Sequence, residues 1–112
     1  MESLVIMAVV ERGKADAVVA QAKKAGARGA TIFYGRGTGE HESRKFLNIH
    51  IESSKELIII ICNQDAYQPI YDAVVQAGQI RKPGKGVAFT LPITNLVGLE
   101  HHRELSDKGK KI

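Results

Sequence analysis

The chain has 112 residues, 16 Lys+Arg against 12 Asp+Glu for a formal charge of +4, and 44% hydrophobic with 25% charged residues. That is a single domain of ordinary globular composition, which excludes global disorder and leaves little room for a deep cavity inside one subunit. The lone Cys62 excludes an internal disulfide, and the 5% aromatic content without Trp weighs against base-stacking platforms.

The mild charge suits a small anion or an acidic partner better than nucleic acid, which is not an expected partner. Glu2 stands where a secretory leader wants bases, and the aliphatic run over residues 57–61 falls far short of the ~20 residues that span a bilayer. The expected location is cytoplasmic, with membrane contact only through a partner.

Residues 4–10 (LVIMAVV) form a continuous β-branched run, the pattern of a buried strand. From residue 14 to 25, Ala15, Val18, Val19, Ala22 and Ala25 fall on one helical face, and Gly26 is a good stop. A second strand is expected over about residues 30–34. The stretch from Gly35 to Lys45 carries three glycines and six titratable residues, so it reads as an exposed loop. Leu47, Ile49 and Ile51 alternate with polar residues, as in a half-buried strand. Ser53-Ser54-Lys55 interrupts this before the uniform apolar run of residues 57–62, a central strand that could join the first as one long, bent strand. Asp65 is a plausible helix cap, with Pro69 near the first turn. Tyr67, Ile70, Tyr71, Val74 and Ala77 mark the buried face of that helix, and Gly78 ends it. A basic turn over residues 79–86 leads into a strand over residues 87–91, stopped by Pro92. Residues 95–99 could add a short edge strand. The expected domain ends at residue 99, with a charged tail over 100–112.

The order β-α-β-β-α-β is that of a ferredoxin-like α+β domain, an antiparallel sheet with two helices on one face. The other face is left bare and rich in Val and Ile, which predicts oligomerisation.

Catalytic motifs are absent, no acid–base or nucleophile–base pair can be assembled, and no enzyme is expected. His41-Glu42 opens like a zinc helix motif, but Lys45 stands where the second histidine belongs, so no metal site is assigned. The remaining histidines are His50, His101 and His102. Two glycine clusters stand out. Gly35-Arg36-Gly37-Thr38-Gly39 directly follows a strand, where glycines let a backbone approach a ligand and aim N–H groups at an anion. Arg81-Lys82-Pro83-Gly84-Lys85-Gly86 directly precedes a strand and sets three cations beside two glycines, a plausible phosphate site. The plainer readings are a hairpin turn and a solvated turn.

In the order and spacing of these clusters the sequence resembles the P-II nitrogen-regulator signalling family and its P-II-like relatives. The segments that carry the likeness are Gly26-Ala27-Arg28-Gly29-Ala30-Thr31, the strand ending Gly35-Arg36-Gly37, the basic turn, and Val87-Ala88-Phe89-Thr90-Leu91-Pro92. They span nearly the whole chain to about Leu99. The resemblance implies a homotrimer that binds an adenine nucleotide (ATP, ADP or an AMP-type ligand) or a similar small anion in the clefts between subunits. Ligand contacts are expected from Gly35, Arg36, Gly37, Thr38, Arg81, Lys82, Gly84, Lys85 and Gly86. A partner, a membrane transporter or an enzyme, is expected to read the loop of Gly39, Glu40, His41, Glu42, Ser43 and Arg44. The ligand would act by shifting the loop between conformations.

The chain departs from the family pattern in ways that bear on the ligand. The loop is short and has no tyrosine for uridylylation. Val87 replaces a lysine after the basic turn, Gly98 and Glu100 stand near the usual arginines, and the loop-root glutamine has no counterpart. These departures argue against a triphosphate, and more strongly against 2-oxoglutarate. The short loop is also similar to a subgroup associated with a transporter-like membrane protein. Two other readings of the fold are a trimeric metal-responsive protein of the copper-tolerance type, using His41 and His50, and an RNA-binding domain. The second is disfavoured because residues 4–10 and 57–62 contain no aromatic.

Overall fold

A computed structural model of the chain describes residues 2–37, 44–46, 49–51 and 53–98, with 44–46, 49–51 and 53 described through their backbone alone. The elements are β1 (Ser3–Glu11), α1 (Ala15–Lys24), β2 (Thr31–Gly37), β3 (Arg44–Phe46), β4 (Ile49–Ile51), β5 (Ser53–Asn63), a 3-10 turn (Gln64–Ala66), α2 (Tyr67–Ala77) and β6 (Gly86–Ile93). Four strands form one antiparallel sheet in the order β2-β5-β1-β6, while β3 and β4 form a separate two-stranded sheet. Leaving that small pair aside, the connectivity is the expected ferredoxin-like βαββαβ.

The register explains where the core sits. Ile6 lies opposite Ile60 and Ala8 opposite Ile58, so the period of two sends these four side chains to one face. There they meet Ala15, Val18 and Ala22 of α1 and Ile70 and Val74 of α2, all buried. Full burial of an Ile or Val side chain is worth about 1.5–3 kcal/mol, so this layer is what fixes the helices to the sheet.

The intervening positions form the other face, in rows that cross the strands: Leu91–Val5–Ile61, Phe89–Met7–Ile59, and Val87–Val9–Leu57–Phe33. Its outer members stay open, with Phe33 49%, Val87 50%, Phe89 39% and Leu91 47% exposed. The bare aliphatic face expected from the sequence is therefore present.

Several boundaries differ from expectation. Gly35, Arg36 and Gly37 are not loop but the end of β2, laddered to Lys55, Ser54 and Ser53, which in turn continue β5 instead of interrupting it. Backbone pairing needs no apolar side chain, so composition hid this. The alternating segment near residue 49 is half of the β3–β4 pair, with Phe46 opposite Ile49. Pro92 lies inside β6, opposite Leu4. Proline is tolerated there because, among the described residues, β6 pairs with β1 alone and is an edge strand. Residues 95–98 form no strand. Asp65 falls in the 3-10 turn, and α2 starts at Tyr67 after Ala66 without a side-chain cap. Gly78 does end α2, but with a φ of −82°; the left-handed residue is Gln79, at 54°.

Candidate functional site

The two glycine clusters owe their glycines to different causes. Gly35 has no positive φ, and a β-carbon there would meet nothing within 4 Å, so nothing in the chain itself demands glycine. Gly86, with φ +154°, is required: a β-carbon would collide with the Val9 carbonyl oxygen where β6 enters the sheet. Gly84, at φ +78°, bends the basic turn.

The basic turn is two successive tight turns. The Lys82 N–H donates to the Gln79 carbonyl at 3.0 Å, and the Lys85 N–H to the Lys82 carbonyl at 3.3 Å. Arg81 and Lys82 are exposed and Lys85 is half-buried. Arg81 and Lys82 also line an open groove of about 470 Å³ with Asp72, Val75, Gln76 and Gln79, so part of the cationic set faces α2.

The sheet register relates the clusters to each other. Gly35 lies opposite Lys55, Lys55 opposite Glu11, and the adjoining Val10 opposite Gly86. Both clusters therefore stand at the same end of the sheet but on its two opposite edges, three strand spacings or roughly 14 Å apart. Among the described residues the two clusters share one end of the sheet without joining into one pocket. Thr38, Gly39, Glu40, His41, Glu42 and Ser43 lie outside the described residues, and Arg44 is seen only as the backbone partner of Ile51 in β3.

Two features were not read from the sequence. Glu56, 7% exposed, sits one residue before the apolar run of β5 and accepts hydrogen bonds at Oε1 from the backbone N–H groups of Gly13 (3.0 Å) and Ala15 (2.8 Å). It caps α1 from another strand, directly beside the Gly35 level of the sheet. Nearby, the Arg12 guanidinium lies 5.2 Å from the centre of the exposed Tyr34 ring.

The second feature is a cavity of about 330 Å³ at the far end of the sheet, lined among others by Arg28, Gly29, Thr31, Ile61, Cys62 and Asn63. The Gly26–Thr31 segment was visible as part of the family likeness but carried no role until β5 was laid beside it. Ile61 is six residues along β5 from Lys55, so the cavity stands roughly 20 Å from the glycine level. Cys62 packs in the core at 6% exposure, and that burial pushes its thiol above the ordinary pKa, toward the less nucleophilic protonated form. Among the described residues no group of three His, Cys, Asp or Glu side chains could hold a metal, and no helix is long and apolar enough to cross a membrane.

The sequence model of the family described as nitrogen regulatory protein P-II matches residues 4–103. No curated protein matches the sequence. Among solved structures, PII of Arabidopsis thaliana bound to citrate superposes with a TM-score of 0.66 at 20% identity, over 88% of this chain and 84% of that one. GlnK of B. subtilis in complex with ATP gives 0.68 at 15% identity, over 88% of each chain.

Proposed function

The chain belongs to the nitrogen regulatory protein P-II family, and from that premise we propose that it is a regulatory homotrimer binding an adenine nucleotide, or a similar small anion, between its subunits. Proteins of this family are regulators and not enzymes. The two structural neighbours are bound to citrate and to ATP, both small anions.

The observation that carries the reading is the separation of the parts. The glycine clusters stand on opposite sheet edges at one end, and the cavity stands at the other. Among the described residues of one subunit, no pocket joins them. The open apolar rows around Met7 and Ile59 supply a reason for subunits to associate. Association of neighbours could set the cavity of one chain against the glycine end of the next. The basic turn, through Lys82 and Lys85, would then meet phosphate, while Ile61 and Ala66 of the cavity suit the flat apolar base. The loop after Gly37 would report occupancy to a partner, a membrane transporter or an enzyme.

The test is calorimetric titration with AMP, ADP, ATP and cyclic AMP, paired with light scattering. A trimer that binds at least one nucleotide, with affinity lowered in Lys82→Ala and Lys85→Ala, supports the reading. A folded trimer that binds none of them overturns it.

A further inference from the structure

We propose that Ile80 is the positioning residue of the basic turn, holding Lys82 and Lys85 in a pre-formed arrangement before any ligand arrives; this rests on the anion-binding reading of that turn. Ile80 is the second residue of the turn, just past the end of α2, and its half-buried side chain packs against the core. Its Cδ1 occupies the space that side chains would fill at two glycines. A β-carbon at Gly78 would come within 3.0 Å of Cδ1, and one at Gly86 within 3.1 Å. These glycines bracket the turn, so one methyl group fills the gap between its two ends.

The backbone supports the same arrangement. The Ile80 N–H donates to the Val75 carbonyl at 3.0 Å, and Gln79 takes a left-handed φ of 54° that turns the chain back over the helix. Past the turn, the Tyr71 hydroxyl donates to the Ala88 carbonyl at 3.3 Å, and Thr90 Oγ1 donates to the Tyr67 hydroxyl at 2.9 Å. The two tyrosines stack with ring centres 5.3 Å apart. Helix α2 and strand β6 are thus tied together on the helix side, and Ile80 fills the space where they diverge. A turn held at both ends loses less conformational freedom on binding, and affinity rises for that reason without any contact between Ile80 and ligand.

The experiment uses the full chain and ADP. Ile80→Val removes only Cδ1, and Ile80→Ala removes the whole plug. ADP affinity is expected to fall by about threefold in Ile80→Val and tenfold or more in Ile80→Ala, on the scale where a tenfold loss is about 1.4 kcal/mol. Amide hydrogen exchange should quicken over residues 79–86 while α1 and β1 keep their protection, which a general loss of stability would not give. Ile80→Val serves if Ile80→Ala fails to fold. Unchanged affinity in Ile80→Val together with faster exchange in the turn overturns the positioning role, as does exchange that rises uniformly across the chain. Lys82→Ala and Lys85→Ala separate the two claims. If they leave ADP affinity intact, the turn is not the anion site and the underlying reading fails instead.

Discussion

The Glu56 carboxylate reaches across 41 residues of sequence to accept the Ala15 N–H at 2.8 Å, so a strand supplies the cap that helix α1 lacks in its own sequence. The same Oε1 takes the Gly13 N–H just ahead of the helix, so one carboxylate holds an open donor of the first turn and the loop that leads into it. Glu56→Ala strands the buried Ala15 N–H and releases that of the exposed Gly13, and should cost about 1–3 kcal/mol. Glu56→Gln keeps an acceptor but loses the charge that favours a helix N-terminus, a smaller cost of about 0.3–1 kcal/mol. Urea denaturation of the three proteins checks the order; equal midpoints for wild type and Glu56→Ala would show that water replaces the cap.

Gly35 and Gly86 should respond in opposite ways to the same change. Gly86→Ala drives a methyl group against the Val9 carbonyl at a strained φ of +154°, and a loss of about 1–3 kcal/mol is expected. Gly35→Ala meets open space, and its stability should stay within about 0.5 kcal/mol of wild type. If the loop root approaches the ligand, Gly35→Ala nevertheless weakens nucleotide binding. Thermal melts beside calorimetric titrations separate the two roles, and a Gly35→Ala protein that melts early would mark that glycine as structural too.

Cys62 gives a dependence on pH. Burial raises the thiol above its ordinary value of 9.0, so the folded state favours the protonated form. The stability contributed this way is fully present below the ordinary value and is lost as pH rises through the higher folded one. Between pH 6 and 8 Cys62 should therefore add no slope. Iodoacetamide labelling at pH 8 should be slow in the native protein and rise sharply in urea. Native labelling as fast as that of an unfolded chain would contradict the packing assignment.

The bare sheet face predicts an assembly defect. Phe89 stands beside Met7, which faces Ile59, in the middle row of that face. Phe89→Asp places a charge where a neighbour would otherwise desolvate it, without touching the buried helix side. Light scattering is expected to fall from the trimer mass to the monomer mass. A variant that remains a trimer would place the interface elsewhere.

Much of the architecture was legible because it depends on side-chain pattern. The runs that became β1 and β5 and the apolar faces of α1 and α2 could be read directly, since period and burial are the same fact seen twice. What escaped depends on backbone or on distance. Gly35 to Gly37 looked like loop because their place in β2 is fixed by ladder bonds to Ser53, Ser54 and Lys55. Glu56 looked like the polar margin of a strand because its partners lie in a turn some forty residues away. The cavity joins Arg28 and Thr31 to Ile61 and Cys62, and only the β2–β5 register sets those segments side by side. The two glycine clusters stand out in the sequence by composition alone, while their placement on opposite sheet edges follows from strand order.

That strand order also has a genetic signature. If each cleft takes its turn from one chain and its cavity from the next, defects in the two parts need not add. Lys85→Ala spoils every turn in a pure trimer, and Thr31→Trp, which fills the cavity, spoils every cavity. A ring that contains both kinds of chain has one junction where the intact turn of the Thr31 variant meets the intact cavity of the Lys85 variant. Two preparations that each bind nucleotide weakly should therefore regain tight binding when unfolded and refolded together, at a fraction set by the mixing ratio.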